Sequence, residues 1–217
     1  MRIRDILVGI GVLLLATTTM AYEEPRYEVL ERTDHYEVRR YEPYLVAEVD
    51  VQGDFGEAGN KAFRLLAGYI FGDNQADEKM SMTAPVESRP KGDNLRMSMT
   101  APVTSTASAA DQYTYAFVME RKYTLDTLPR PRNPRIRLGE QEARVMAVHR
   151  YSGRWTEENY RENEAKLLEA LSADGRRPIG APILARYNSP FTPWFMRRNE
   201  VMIEIAWEQG VAPTPAE

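Results

Sequence analysis

Apolar and charged residues alternate along much of this chain, with the period of two that is typical of a half-buried strand. Tyr27–Arg32, with the sequence Y-E-V-L-E-R, is the first such segment. Pro43 separates the next two segments, because proline cannot donate a hydrogen bond to a ladder. The same pattern predicts strands over residues 36–41, 44–51, 79–86, 96–103, 112–119, 135–138, 143–151, 183–187 and 201–207.

Two segments change to a helical period, and each is followed closely by a glycine. The spacing predicts one helix over 54–71, with Asp54 as its N-cap, and a second over 156–173, with Thr156 as its N-cap. Their apolar stripes consist of Ala58, Ala62, Leu65, Leu66 and Tyr69 in the first helix and of Tyr160, Leu167, Leu168 and Leu171 in the second.

The order of elements is strands, one helix and strands, and this order then repeats. It predicts an α+β domain of two pseudo-symmetric halves, in which two helices flank a curved antiparallel sheet. The proline-dense segment 128–134 can be neither helix interior nor central strand, so we expect it to join the halves.

The first 21 residues have the features of a targeting segment. Arg2 and Arg4 precede an eleven-residue run of apolar residues and glycine over 6–16, and small residues follow around Ala21. This pattern is typical of a cleaved signal peptide, and the alternative is an uncleaved N-terminal anchor. Both alternatives predict an exported protein, either periplasmic or anchored to the inner membrane facing the periplasm. The folded domain would then span 22–209, followed by a flexible Pro/Ala-rich tail over 210–217.

Composition excludes several classes of function. The chain has 217 residues, and its 28 Lys and Arg against 32 Asp and Glu leave no basic surplus for nucleic acid. It has no cysteine, which excludes disulfides, thiolate metal sites and covalently attached c-type haem. The motifs G-x-S-x-G, H-E-x-x-H, the P-loop and G-x-G-x-x-G are absent, so we expect a binding protein rather than an enzyme.

A short repeat is the most specific signal in the sequence. K-M-S-M-T-A-P-V at 79–86 recurs as R-M-S-M-T-A-P-V at 96–103. On two paired strands, Met80, Met82, Met97 and Met99 would line one wall. Methionine is adaptable and suits a surface that accepts a flat apolar ligand. The alternative, which is the commoner role of a methionine stripe, is that these residues fill the core.

The first copy of the repeat, K-M-S-M-T-A-P-V, resembles the signature of the SOUL haem-binding protein family, and so does the segment 36–43 (Y-E-V-R-R-Y-E-P). The second copy is interpreted as a local duplication or a hairpin partner of the first. Further similar segments, at 117–131, 148–153, 187–191 and 198–201, extend the resemblance over 27–207. It implies a distorted antiparallel β-barrel flanked by two helices, which is also similar to effector-binding domains of some bacterial regulators. It further implies non-covalent binding of haem or another tetrapyrrole in an apolar groove beside a helix.

The resemblance also implies site residues. Arg40 occupies the position of a histidine proposed as an axial ligand in the family. Arginine cannot ligate iron but could pair with a porphyrin propionate. Phe117 lies in a matching segment and is a further candidate for contact with the ligand. His149 is a weak candidate for the iron ligand, and the alternative is a hydrogen-bonded or surface histidine.

An apolar loop over 191–196, bracketed by prolines and followed by two arginines, has two alternative interpretations. Exposed, it would suit a carboxylated ligand or a membrane surface, and folded back it would be core. Taken together, the sequence predicts reversible binding of haem or a related tetrapyrrole by a carrier, buffer or sensor. The alternatives are another amphipathic ligand or, less favoured, an enzyme acting on a tetrapyrrole. The partners expected are this small molecule and, if the N-terminal segment is an uncleaved anchor, a membrane; nucleic acid is not expected, and the sequence makes no prediction of oligomeric state.

Overall fold

One antiparallel sheet of nine strands and two helices make up the fold of the computed structural model, which describes residues 22–91 and 112–207. The predicted targeting segment 1–21, the second repeat copy 96–103 and the tail 210–217 lie outside these residues. The elements are β1 (Tyr27–Arg32), β2 (Glu37–Tyr41), β3 (Tyr44–Gln52), α1 (Phe55–Ile70), β4 (Val86–Pro90), β5 (Gln112–Val118), β6 (Ile136–Gln141), β7 (Arg144–Tyr151), α2 (Glu157–Ala173), β8 (Ile183–Arg186), a 3₁₀ turn (Trp194–Met196) and β9 (Asn199–Glu204).

The strand order explains the internal symmetry. Across the sheet it is β1-β2-β7-β9-β8-β4-β5-β3-β6. The units β2-β3-α1-β4-β5 and β6-β7-α2-β8-β9 therefore correspond element by element about the central pair, β4 and β8. The first strand of each unit pairs within the other unit, β2 with β7 and β6 with β3. The predicted α+β fold of two pseudo-symmetric halves with flanking helices is confirmed.

Both helices begin at the predicted caps. The Asp54 carboxylate accepts a hydrogen bond from the Glu57 backbone N–H at 2.8 Å, and the Thr156 hydroxyl accepts one from the Asn159 N–H at 3.3 Å. Helix α1 packs mainly on β3 and β5, and α2 packs on β7 and β9, so the central strands lie between the two helices. Among the described residues, neither helix is both long and apolar enough to cross a membrane.

The opposite face of the sheet carries a second apolar cluster, which includes Tyr41, Tyr44 and Met146. The chain reaches this region directly from its N-terminal side. Pro25 is buried, and the Glu23 carbonyl accepts a hydrogen bond from the Ala84 N–H at 2.9 Å. The N-terminal segment therefore covers part of this face.

The predicted strand over 79–86 is wrong, because only Val86 belongs to a strand. The groups of this segment bond outside any ladder. The Met80 N–H donates to the Ile70 carbonyl at 2.9 Å, and the Thr83 hydroxyl donates to the Val118 carbonyl. Pro85, which follows a cis peptide bond, has no N–H to offer. The last strand also differs from its prediction, since it runs from Asn199 to Glu204 rather than over 201–207.

Candidate functional site

A cleft of about 300 Å³ lies on the helix face, over the central strand pair. We call it the central cleft. Its floor includes Val86 of β4 and Arg186 of β8, which are directly opposite each other in the ladder. The full lining comprises Phe55, Gly56, Gly59, Asn60 and Phe63 of α1, Val86, Tyr115 and Arg186 of the sheet, and Trp155, Asn188 and Pro190 of two loops.

Helix α1 forms one wall of the central cleft. A Cβ atom at Gly59 would lie 3.2 Å from the Tyr115 hydroxyl, so glycine here leaves room that a side chain would fill. Phe55 stacks on Tyr160 of α2 with ring centroids 5.9 Å apart, which joins the two helices at this end. Phe63 is partly exposed at the rim. The wall is therefore aromatic and open to solvent on one side.

Arg186 is the only arginine or lysine among the described residues that line the central cleft. Its guanidinium carbon lies 5.3 Å from the ring centroid of Phe55 and 5.4 Å from that of Trp155. No carboxylate of the described residues pairs with it, and its buried Nε has no hydrogen-bond partner among them. Burial lowers the pKa of Arg186, because loss of solvent penalises the charged form. The group stays protonated, so an uncompensated cation faces an aromatic cleft.

Tyr115 is the other polar group at the floor. Its hydroxyl lies 3.5 Å from the Phe55 carbonyl oxygen. Burial is the main cause that raises the pKa of Tyr115, so the phenol is neutral and can donate a hydrogen bond. A neutral phenol is a poor ligand for iron, since metal ligation requires the deprotonated oxygen.

The residues of the central cleft fit the ring and the carboxylates of a tetrapyrrole, but they do not fit its iron. Aromatic walls suit a flat macrocycle, and Arg186 suits a propionate. The volume is at the lower end of the ~300–1,000 Å³ usual for small-molecule sites, which is space for one edge of such a ring. No histidine or methionine of the described residues lines it. Within residues 22–91 and 112–207, no three His, Asp or Glu side chains form a metal-binding group.

His149 lies on β7 and lines a different cleft, of about 460 Å³. Its Nδ1 is 2.7 Å from the His35 carbonyl oxygen, and its Nε2 is 3.2 Å from the Asn163 Oδ1. The Asn163 amide nitrogen donates to the Asn159 carbonyl, which keeps Oδ1 turned toward the imidazole. Both ring nitrogens thus face oxygen acceptors. An iron ligand needs a free nitrogen lone pair, so the predicted ligand role, still a prediction, would require one of these contacts to break.

Arg40 lies far from the central cleft along the sheet. Its guanidinium pairs with Glu28 at 3.3 Å, and its backbone is opposite Val145. Asn199 of β9 is opposite both Arg186 of β8 and Tyr151 of β7. Arg186 therefore lies at the level of Tyr151, which is six residues along β7 from Val145, the residue opposite Arg40. A pairing of Arg40 with a propionate stays a prediction, and it would belong to a different place in the fold.

Two of the four methionines of the predicted apolar wall lie in or against the core. Met80 is buried beneath α1, and Met82 packs against the same cluster. Phe117 is buried with its ring centroid 5.6 Å from that of Phe63, so it supports the rim of the central cleft from behind. Met97 and Met99 lie outside the described residues. Contact of these side chains with a ligand stays a prediction.

Sequence reasoning missed Arg186, Gly59 and Trp155. A signal existed for Arg186, because alternation along β8 places it on the same face as the buried Leu184. A charged residue on the buried side of a strand is a mark of a functional group. No comparable signal existed for the other two, which become neighbours of Arg186 only through the packing of α1 and of the segment before α2.

The architecture is that of an α+β domain made of two interleaved halves with a cleft at their common axis. The chain belongs to the SOUL heme-binding protein family, whose model matches residues 22–204. This confirms the resemblance that the repeat carries. No curated protein matches the chain.

Solved structures support the fold alone. The C-terminal domain of EcmrR superposes with a TM-score of 0.58 at 8% identity, covering 83% of this chain and 98% of that one. A structure described as a hydrolase from Listeria innocua superposes with a TM-score of 0.53 at 14% identity, covering 82% of this chain and 94% of that one. The superpositions establish that the architecture is similar. At identities this low they carry no information about function.

Proposed function

We propose that this protein binds a carboxylated tetrapyrrole reversibly in the central cleft, as a carrier, buffer or sensor. The observation that carries the proposal is Arg186, a cation without an anionic partner among the described residues and between two aromatic rings. Membership of the SOUL family supports the ligand class. A propionate would complete the charge pair, and the macrocycle edge would lie against Phe55 and Phe63.

The unpaired guanidinium sets the expected strength of recognition. A hydrogen bond to a charged partner contributes about 1.5–3 kcal/mol, which corresponds to a factor of about 10–150 in affinity. The aromatic walls contribute through contacts without a preferred direction. They therefore bind the ring of the free acid and the ring of the ester equally well. Arg186 therefore distinguishes a porphyrin with free carboxylates from its ester.

The same site requires no bond from the protein to iron. Among the described residues, the cleft lining offers aromatic rings, one guanidinium, one neutral phenol and the amides of Asn60 and Asn188, and none of these is a usual iron ligand. Haem itself would supply the iron chemistry. We expect iron-free protoporphyrin IX to bind about as tightly as haemin.

The experiment measures binding of protoporphyrin IX and of its dimethyl ester by fluorescence titration. Arg186→Gln should weaken the free acid about 10–150-fold and leave the ester unchanged. Arg40→Gln is the matched control, and it should change neither, because Arg40 pairs with Glu28 at the other end of the sheet. Equal losses for acid and ester, or a loss with Arg40→Gln alone, would contradict the proposal.

A smaller amphipathic carboxylate is the second candidate ligand, and the modest volume of about 300 Å³ favours it. In that case porphyrin binding would be weak and would not saturate, while a single-ring aromatic carboxylate would bind with a one-to-one endpoint that Arg186→Gln removes. We propose binding without turnover, so bound haemin given a reductant should be reduced to ferrous haem with its ring intact, and a ring-opened product would contradict this.

We also propose that residues 1–21 direct export of the domain. The basic start and the apolar run over 6–16 support this. Sequencing the N-terminus of the protein from a periplasmic fraction tests it: a start near Tyr22 indicates cleavage, a start at Met1 in the membrane fraction indicates an anchor, and recovery from the cytoplasm contradicts export.

A further inference from the structure

The loop over residues 190–196 exposes a contiguous apolar surface, and we call it the aromatic loop. Phe191 is 95% exposed, and Trp194, Phe195 and Met196 are each half exposed or more. The alternative in which this segment folds back as core is therefore wrong. Single exposed apolar residues are ordinary, but four within six positions form an apolar patch of the kind that binds an apolar partner.

The backbone of the aromatic loop is held in place by its own hydrogen bonds. The Arg197 guanidinium donates to the Thr192 carbonyl at 2.9 Å and to the Pro190 carbonyl at 2.8 Å. The Gly153 N–H donates to the Trp194 carbonyl at 3.1 Å. A lid that closes over the central cleft would have to break these bonds. The geometry instead presents the apolar side chains outward on a fixed support.

Cations border the apolar side chains. The exposed Arg154 has its guanidinium carbon 5.9 Å from the ring centroid of Trp194. Tryptophan and arginine have apolar bodies and polar ends, and both are favoured at the boundary between lipid tails and headgroups. The combination of Phe191 and Phe195 at the tip with Arg154 beside them fits an anionic phospholipid surface.

The N-terminal side of the chain approaches the same region. Glu24 forms an ion pair with Arg198 at 2.9 Å, and Arg198 comes two residues after Met196. The apolar run over 6–16 ends eight residues before Glu24, a distance of at most about 28 Å for an extended chain. A membrane that holds this run therefore lies within reach of the aromatic loop.

We infer that the aromatic loop docks on an anionic phospholipid surface, with Phe191 and Phe195 inserted among the lipids and Arg154 at the phosphates. Docking would place the central cleft next to the membrane surface, because Pro190 is both the first residue of the loop and part of the cleft lining. The inference is independent of the ligand proposed above. It concerns where the domain sits on a membrane, whatever the cleft binds.

The absence of cysteine makes the test direct, since one introduced cysteine can carry a fluorophore at a chosen site. The full chain is reconstituted into vesicles of phosphatidylethanolamine and phosphatidylglycerol, labelled through Phe191→Cys. The matched control is Phe71→Cys, exposed beyond the far end of α1, about 24 Å along the helix from Phe55.

We expect the label at 191 to be quenched by nitroxide-bearing lipid and to become several-fold less accessible to aqueous iodide than the label at 71. Arg154→Glu should restore iodide access at 191, while Arg64→Glu, an exposed site on α1, should not. Equal iodide access at both labels would overturn the inference even if the N-terminal segment binds the vesicles. Shielding at 191 that depends on protein concentration and not on lipid would also overturn it, in favour of contact with a second copy.

Discussion

Filling the central cleft from α1 should separate stability from ligand binding. Gly59 lies inside the helix, and a methyl group there would point at the Tyr115 hydroxyl, 3.2 Å away, and at the Arg186 guanidinium, 3.6 Å away. Gly59→Ala therefore places an atom between the space of the cleft and both Tyr115 and Arg186. Gly68 is the matched control, because it lies in the same helix and a Cβ there would meet nothing within 4 Å.

The magnitudes follow from helix propensity and from the space that is lost. Alanine stabilises a helix interior by about 0.5–1 kcal/mol relative to glycine, so Gly68→Ala should raise the free energy of unfolding by that amount. The close contact at Gly59 offsets part of the gain, and we expect a change within about 0.5 kcal/mol of zero. Porphyrin affinity should fall about 10-fold with Gly59→Ala, if the carboxylate can no longer reach Arg186 at full strength.

Urea unfolding and titration with protoporphyrin IX measure the two quantities on the same variants. Gly59→Ala with wild-type stability and weakened binding, beside Gly68→Ala with raised stability and unchanged binding, is the expected pattern. Unchanged affinity in Gly59→Ala would refute the assignment of the ligand to this cleft. Loss of affinity in both variants would show that helix α1 acts generally rather than through its cleft face.

Three further predictions concern the rest of the molecule. Asp50 is partly buried, which alone would raise its pKa, but hydrogen bonds from Arg137 and two neighbours hold that pKa well below the ordinary value. The stabilising effect of the Asp50 carboxylate is complete above about pH 4 and is lost as pH falls below it. Asp50→Asn should therefore make the free energy of unfolding, measured in urea at a series of pH values, fall less steeply below about pH 4 than in the wild type. Equal slopes in the two proteins would contradict this. Glu200 is fully buried and accepts hydrogen bonds from two arginines, so Glu200→Gln should lower the free energy of unfolding by about 3 kcal/mol in chemical denaturation. Glu28→Gln, at an exposed ion pair, should lower it by less than about 1 kcal/mol, and similar losses in the two variants would disprove the distinction. His149→Ala should leave the absorption spectrum of bound haemin unchanged, and a shifted Soret band would identify it as a ligand after all.

Local signals predicted the elements well. The caps at Asp54 and Thr156 are confirmed because a side-chain oxygen that accepts from a helix N–H acts within three residues. The alternation over Tyr27–Arg32 predicted the bounds of β1, although no residue of this edge strand is fully buried. The repeated order of strands and helices similarly predicted the two halves.

Non-local features were beyond such signals. The segment 79–86 alternates like a strand, yet Met80 and Thr83 bond to carbonyls at the end of α1 and on β5, which no local pattern specifies. The central cleft depends on the pairing of Val86 with Arg186, residues one hundred positions apart. The resemblance to a family motif pointed to Arg40 instead. A motif identifies a position in the sequence but says nothing about the residues that pack around it.

Nuclear magnetic resonance with iron-free protoporphyrin IX tests the central claim most directly, because the porphyrin ring current shifts the signals of nearby nuclei. In ¹H–¹⁵N spectra of the labelled protein, we predict the largest saturable shifts at the amides of Gly59, Val86 and Arg186. The largest shifts at His35 and His149, with those three amides unmoved, would place the ligand in the other cleft and contradict the account.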